Sequence, residues 1–152
     1  MRVFRLSKRQ YANDLSGIGA AKFGNRWNSK GTEIIYTAQS RALAMAEVAV
    51  HLTLSTLPKD FVMIEIEIPA PIKIDAISLN DLNENWNDFP HILQTQQLGD
   101  AFIQKNKFCV TKVPSAVVKG DFNYLINPHH KVISKISIVS ISDFPFDKRI
   151  FH

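Results

Sequence analysis

Residues 61–68 alternate between two kinds of side chain without a break. Val62, Ile64, Ile66 and Ile68 fall on one side of an extended chain; Met63, Glu65 and Glu67 fall on the other. Successive side chains of a strand point to opposite faces, so this pattern predicts a half-buried β-strand, ended by Pro69 and Pro71. Upstream, Ser40 offers an N-cap to the alanine- and leucine-rich run RALAMAEVAVHL, which reads as a helix. Residues 3–6, 33–38 and 72–77 read as further strands. Residues 79–90, which contain Trp86, read as an irregular polar segment. Residues 91–104 carry helical periodicity through Ile92, Leu93, Leu98, Ala101 and Phe102, while 108–113, 116–118 and 132–141 are β-rich. Helices and strands do not alternate regularly, so the pattern predicts an α+β fold rather than a doubly wound α/β one.

A chain of 152 residues with 45% apolar and 21% charged residues can bury a core without staples, and residues 1–152 are expected to form a single domain. Its one cysteine, Cys109, cannot form an internal disulfide; it sits in an apolar run and is expected to be a buried, inert thiol in a reducing compartment. The first ten residues lack an apolar signal core, and no apolar stretch approaches the ~20 residues that span a bilayer. The protein is therefore expected to be cytoplasmic, with no membrane partner. Its net charge of +4 is scattered, which favours a solvated basic surface over a nucleic-acid site. Such a surface could still attract a phosphorylated small molecule or an acidic protein.

Several chemistries are disfavoured by the spacing of residues. Gly19 and Gly24 match part of a phosphate loop, but Asn25 and Arg26 stand where Lys and Ser/Thr are needed. Gly17 and Gly19 open a dinucleotide fingerprint that Lys22 interrupts. No serine sits in a GxSxG elbow. His129 and His130 are adjacent and lack metal-site spacing, so they read as a solvent-facing loop pair, and no metal is expected.

Glu47 is more informative. Leu43, Glu47, Val50 and Leu54 follow helical spacing and would share one face. A carboxylate on an apolar face needs a partner or a purpose: either a core arginine or backbone amides satisfy it, or it stands at a cleft wall and acts on developing positive charge. Arg26 lies in a glycine-rich stretch (Gly17, Gly19, Gly24, Gly31) read as loop, where a guanidinium suits bidentate binding of phosphate or carboxylate. Trp27 could stack on a base or close the core. Tyr36 reads as half-buried with its hydroxyl at a rim, and Ser115 follows Pro114 at a strand break.

Taken in order, Gly24-Asn25-Arg26-Trp27-Asn28-Ser29-Lys30-Gly31, Ile35-Tyr36-Thr37, Ala42-Leu43-Ala44-Met45-Ala46-Glu47, Val113-Pro114-Ser115 and Leu125-Ile126-Asn127-Pro128 resemble the RES domain, named for an arginine, a glutamate and a serine. The matching residues are Arg26, Glu47 and Ser115. Phe4-Arg5-Leu6 resembles the family's start, and Asn25 departs from it where a second glycine is more usual. The resemblance spans residues 2–140, while residues 147–152 match nothing in it.

The resemblance implies an ADP-ribosyltransferase-like split β-core with flanking helices. It also implies a toxin of a toxin–antitoxin pair that consumes NAD⁺ as substrate, by hydrolysis or phosphorolysis of the nicotinamide–ribose bond, with no resident cofactor. An Xre-like antitoxin would be the partner and would make the DNA contacts, and a homodimer within that complex is compatible with the family. In this reading Glu47 stabilises the cationic ribose, Arg26 holds phosphate with Arg5 as a second candidate, Ser115 hydrogen-bonds the ribose or a reacting oxygen, and Tyr36 lines the ring pocket. Trp27, Asn28, Gly31 and Asn127 complete the expected NAD⁺-binding set, Asn127 more as a turn beside the cleft than as chemistry. The alternatives are a mono-ADP-ribosyltransferase acting on a protein and an inactive NAD-binding relative.

Overall fold

In the computed structural model, which describes residues 1–151, the alternating segment is an inner strand of a seven-stranded mixed sheet. The strands are β1 (Arg2–Lys8), β2 (Ile35–Ala38), β3 (Phe61–Glu67), β4 (Ile74–Ala76), β5 (Val110–Pro114), β6 (Phe122–Ile126) and β7 (Ser137–Asp143). Their spatial order is β4-β5-β6-β2-β1-β3-β7. Three α-helices accompany them among the described residues: α1 (Ile18–Phe23), α2 (Arg41–Ala49) and α3 (Leu93–Lys105). All neighbouring strands are antiparallel except β4 and β5. Parallel neighbours need a long crossover, and here it carries α3. This is a single α+β domain with a split β-core and flanking helices, as expected.

The split is visible in the register. β1 pairs with β3 along its whole length, from Arg2 opposite Glu67 to Lys8 opposite Phe61. It meets β2 only where Phe4 faces Ala38. Beyond that pair the strands part, leaving Arg5 and Leu6 on one side of a gap and Tyr36 and Thr37 on the other.

Three apolar clusters fix the frame. Val3, Ile35, Val62, Ile64, Ile66 and Ile126 pack on one side. Phe4, Leu6, Ala38 and Met63 pack with Leu43 and Ala44 of α2. Trp27, Trp86, Val113 and Leu125 pack with Phe102 of α3. β3 is buried on both sides over its first half, since Phe61 and Met63 join the α2 cluster; only Glu65 and Glu67 keep the predicted polar side, and both pair with Arg2.

Ser40 caps α2 as predicted, its Oγ accepting from the Leu43 amide at 3.1 Å. The helix is shorter than expected. It ends at Ala49, and the amides of His51 and Leu52 bond three residues back, to Val48 and Ala49. That tightening breaks the 3.6-residue period. Val50, whose amide still bonds to the Ala46 carbonyl, is exposed but lines the cavity beside Glu47, whereas Leu54, past the tightened turn, is exposed and is not part of that wall.

Three other expectations change, and one strand is found where no signal predicted it. The stretch read as loop contains α1, bracketed by Gly17 and Gly24 at positive φ. A side chain at Gly17 would lie 2.5 Å from the Ile34 amide nitrogen, so glycine is needed there for close approach as well as conformation. Residues 116–118 form a turn, because the Ser115 hydroxyl accepts from the amides of Val117 and Val118 and takes those donors away from any ladder. β6 carries no alternating signal, yet it pairs on both sides, with β5 and β2. His130 is buried, its ring nitrogens meeting the Lys107 carbonyl and the Val132 amide; only His129 faces solvent, paired with Glu33 at 2.9 Å.

α3 packs tightly enough to exclude any side chain at Gly99, where a Cβ would fall 1.6 Å from the Trp27 carbonyl oxygen. Gly99→Ala is expected to destabilise the protein by about 1–3 kcal/mol or more, lowering the urea midpoint. A wild-type midpoint would contradict this packing. Cys109 is buried as expected, and burial raises its thiol to about 11. It should resist iodoacetamide at pH 8 in the native state and react once the chain is denatured. Rapid native labelling would contradict the burial.

Candidate active site

The gap between β1 and β2 opens into a cavity of about 870 Å³. That volume lies in the range of small-molecule sites. Its walls include Arg5 of β1, Arg26 of the loop after α1, Tyr36 of β2, Glu47 of α2 and Asn123 of β6. Four of the five were expected site residues; Asn123 was not.

Glu47 is held from outside its own helix. Its Oε1 accepts from Ser115 Oγ at 2.7 Å and from Asn123 Nδ2 at 2.6 Å. Its Oε2 accepts no hydrogen bond among the described residues. A carboxylate saturated on one oxygen and open on the other is pre-aimed, with its charge available to whatever enters the cavity. Ser115 is buried, and its hydroxyl donates to Glu47 while accepting from Val117 and Val118. Its hydrogen-bonding capacity is therefore full, so the geometry gives it the work of positioning Glu47 rather than of contacting a ribose.

Arg26 sits at the tip of a tight turn closed by paired backbone bonds between Asn25 and Asn28. α3 clamps this turn. Gln96 Nε2 donates to the carbonyls of Asn25 and Asn28, Asp100 accepts from the amide and hydroxyl of Ser29, and Gly99 lets the helix backbone reach Trp27. Arg26 Nη1 donates to the carbonyls of Trp86 (2.8 Å) and Asp88 (3.1 Å), which leaves Nη2 and Nε without a partner among the described residues. Partial burial lowers the guanidinium's pKa, opposed by the charge of Glu47. Arg26 and Glu47 both line the cavity, but neither joins an ion pair among the described residues. Opposite charges thus line one cavity without forming an ion pair.

The remaining expected residues divide by geometry. Arg5 lines the cavity and is largely buried, with Nη1 donating to the Asp14 carbonyl at 2.7 Å; burial lowers its pKa and Asp14 opposes the shift. The Tyr36 ring forms wall, but its hydroxyl is occupied: it donates to Asn28 Oδ1 at 2.6 Å and accepts from the Trp27 amide at 3.0 Å. Burial pushes that phenol well above its ordinary range, so it is no proton donor near neutrality. Trp27 is buried against Trp86, ring centroids 6.2 Å apart, with part of the residue at the wall.

Asn28, Gly31 and Asn127 do not line the cavity. Asn28 is fully buried and ties the loop together, donating to the carbonyls of Ala20, Ser29 and Thr32. Gly31 serves a turn at positive φ, its amide bonded to Ala21. Asn127 is fully buried, donating to Asn106 Oδ1 and accepting from the His129 amide, which fits its reading as a turn residue. His51, Asn87, Phe89 and His91 also line the wall and were not foreseen. Burial and the charge of Arg26 lower the pKa of His91. Among the described residues no group of three His, Cys, Asp or Glu side chains could hold a metal.

Ser115→Ala removes the Glu47 anchor that follows β5 while leaving the cavity wall intact. It is expected to lower turnover of the cavity's substrate roughly 10- to 100-fold with little change in substrate affinity. A rise in KM alone, measured by steady-state kinetics, would instead mean that Ser115 touches the substrate.

The model of the RES domain matches residues 2–147. The chain is 35% identical to a protein of Sphingobium sp. (strain YBL2) named Prs ADP-ribosylating toxin, over 91% of this chain and 88% of the relative. It is 34% identical to a protein named Toxin Res of Yersinia enterocolitica, over 99% of each. Among solved structures, the M. tuberculosis MbcT–MbcA toxin–antitoxin complex contains a chain with the same fold, at a TM-score of 0.76 and 19% identity, covering 94% of this chain and 83% of that one. The whole-length family match and the relatives above 30% identity agree with the site motifs: this chain belongs to the RES domain family.

Proposed function

We propose that the chain is the toxin of a toxin–antitoxin pair and that its cavity cleaves the nicotinamide–ribose bond of NAD⁺, lowering cellular NAD⁺ and arresting growth. The observation that carries this reading is Glu47, fixed through one oxygen and open through the other, lining the same cavity as a guanidinium whose Nη2 and Nε have no partner among the described residues.

The chemistry suits those groups. When the glycosidic bond breaks, its electron pair leaves with nicotinamide, which departs neutral. No general acid is needed, so the second carboxylate of ordinary glycosidases has no task here. The ribose develops oxocarbenium character, and the open Glu47 oxygen stabilises that positive charge. Water attacking C1′ loses its proton to solvent and gives ADP-ribose; inorganic phosphate attacking instead gives the ADP-ribose phosphate ester. Arg26 holds the substrate pyrophosphate, or the incoming phosphate, through Nη2 and Nε. Arg5 supplies a second positive charge at the wall. The site residues require no metal and no resident cofactor in this scheme.

The toxin names of the relatives and the antitoxin bound in the structural neighbour support the cellular role. The partner expected here is an Xre-like antitoxin, and the expected compartment is the cytoplasm. A second reading, transfer of ADP-ribose to a protein side chain, is favoured by the name of the Sphingobium relative. The same cleft would serve, with the acceptor replacing water.

The test is mass spectrometry of products after incubating the purified chain with NAD⁺, with and without phosphate, beside Glu47→Gln. Free nicotinamide with ADP-ribose or its phosphate ester is expected, and Glu47→Gln should lose roughly 10²–10³-fold in turnover while still binding NAD⁺. Intact NAD⁺ in both conditions would overturn cleavage of the free dinucleotide; nicotinamide release only with a mass increase on an added protein would favour transfer. Arg26→Ala should weaken NAD⁺ binding more than any other single change in the cavity, read by calorimetry. Unchanged affinity would move the phosphate-binding role to Arg5.

A further inference from the structure

Asn123 belongs to no motif that led to this site. It lies on β6, directly opposite Ala38 of β2 and Val113 of β5, on the strand side that Leu125 shares. That side packs against the helices, and Leu125 is fully buried there. Asn123 is half-buried at the cavity wall, yet one end of its amide is turned away from the cavity into the protein, and that needs a reason. Its Nδ2 donates to Glu47 Oε1 at 2.6 Å, while its Oδ1 is buried with no hydrogen-bond partner among the described residues. The amide cannot be turned round, because its oxygen would then face the carboxylate.

These two facts point the same way. A buried acceptor left unpaired is a cost to the folded state. An apolar residue between Ala38 and Val113 would avoid that cost. What asparagine supplies, and an apolar residue cannot, is a second donor to Glu47. A glutamate side chain has three rotatable bonds, and one hydrogen bond from Ser115 leaves the carboxylate able to pivot about that contact. A second donor to the same oxygen from a different strand removes the pivot and fixes the direction of Oε2. We infer that Asn123 is a positioning residue: with Ser115 it locks Glu47 in one orientation, at the expense of fold stability. This inference rests on Glu47 being the working carboxylate of the proposed reaction.

The test uses the whole chain with Asn123→Ala and Asn123→Asp. For Asn123→Ala the expected result is a kcat lower by roughly 10- to 100-fold, KM within about threefold of wild type, and a melting temperature equal to or above wild type. A residue holding the fold together would give the opposite, a lowered melting temperature with kcat preserved in the folded fraction.

Asn123→Asp keeps the shape and guards against a failure to fold. Two carboxyl groups at this distance share a proton. With that proton present, the new side chain can donate to Glu47 as asparagine does; once the proton is lost, the pair repels. The variant's kcat should therefore rise as pH is lowered from 8 towards 6 relative to wild type, while Asn123→Ala stays low throughout. The other titratable groups of the cavity, Arg5, Arg26, Tyr36, His51 and His91, are common to all three proteins, so the ratio to wild type isolates the pair.

A crystal structure of Asn123→Ala provides a readout independent of turnover, and the Glu47 carboxylate is expected to leave its wild-type position. Wild-type kcat in Asn123→Ala, a change in KM alone, or an unmoved Glu47 would overturn the inference. If wild type itself leaves NAD⁺ intact, the proposed reaction fails, and the crystal structure still decides what Asn123 does.

Discussion

The site depends on one carboxylate that its own helix cannot satisfy. α2 must bury Leu43 and Ala44 against β1 and β2, and the helical period then carries Glu47 to the wall where those strands part. An unpartnered carboxylate in that place would be costly. The two donors come from the ends of β5 and β6, strands on the far side of the sheet's split. The bonds that orient Glu47 therefore reach across the split, so the site is complete only when both halves of the β-core are in place.

The opposite wall is built on the same principle with different materials. Arg26 does not hold itself in place. The turn that bears it is fixed by Asn28 and Tyr36 from within and by Gln96, Gly99 and Asp100 of α3 from outside. Two backbone carbonyls, from Trp86 and Asp88, then orient the guanidinium. A cation and an anion face each other across a cavity without meeting. Each is held by neutral groups, so a ligand that enters need not break an ion pair first, and the lower dielectric of a partly buried site strengthens its interaction with both. This arrangement suits a substrate that carries phosphates at one end and develops positive charge at the other.

Much of this was legible in the sequence, for physical reasons. The alternation in β3, the Ser40 cap and the periodicity of α3 are local signals, and each produced the element it predicts. Arg26, Glu47, Tyr36 and Ser115 stood out because motif order preserves what the site needs. The failures have two causes: some turn on local backbone geometry that side-chain patterning does not report, and others on a partner distant in sequence. α2 stops at Ala49 because its last turn tightens, so Leu54 leaves the expected face while Val50 stays at the cavity with Glu47. Asn28 and Asn127 share the motifs yet serve loops, since a motif records constraint without saying whether the constraint is chemical or architectural. Asn123 and Gly99 were invisible because their importance lies in contacts with residues 76 and 72 positions away. Only the parity of Asn123 with Leu125 on one short strand hinted at a polar group on a buried side.

The central claim is that Glu47 and Arg26 bracket a bound NAD⁺, with the bond to be broken at the open carboxylate oxygen. The most direct measurement is a crystal structure of Glu47→Gln with NAD⁺ bound. The account predicts the pyrophosphate within hydrogen-bond reach of Arg26 Nη2 and Nε, and C1′ of the nicotinamide ribose beside the residue at position 47. A dinucleotide bound elsewhere, or bound here with its ribose turned away from position 47, would contradict it.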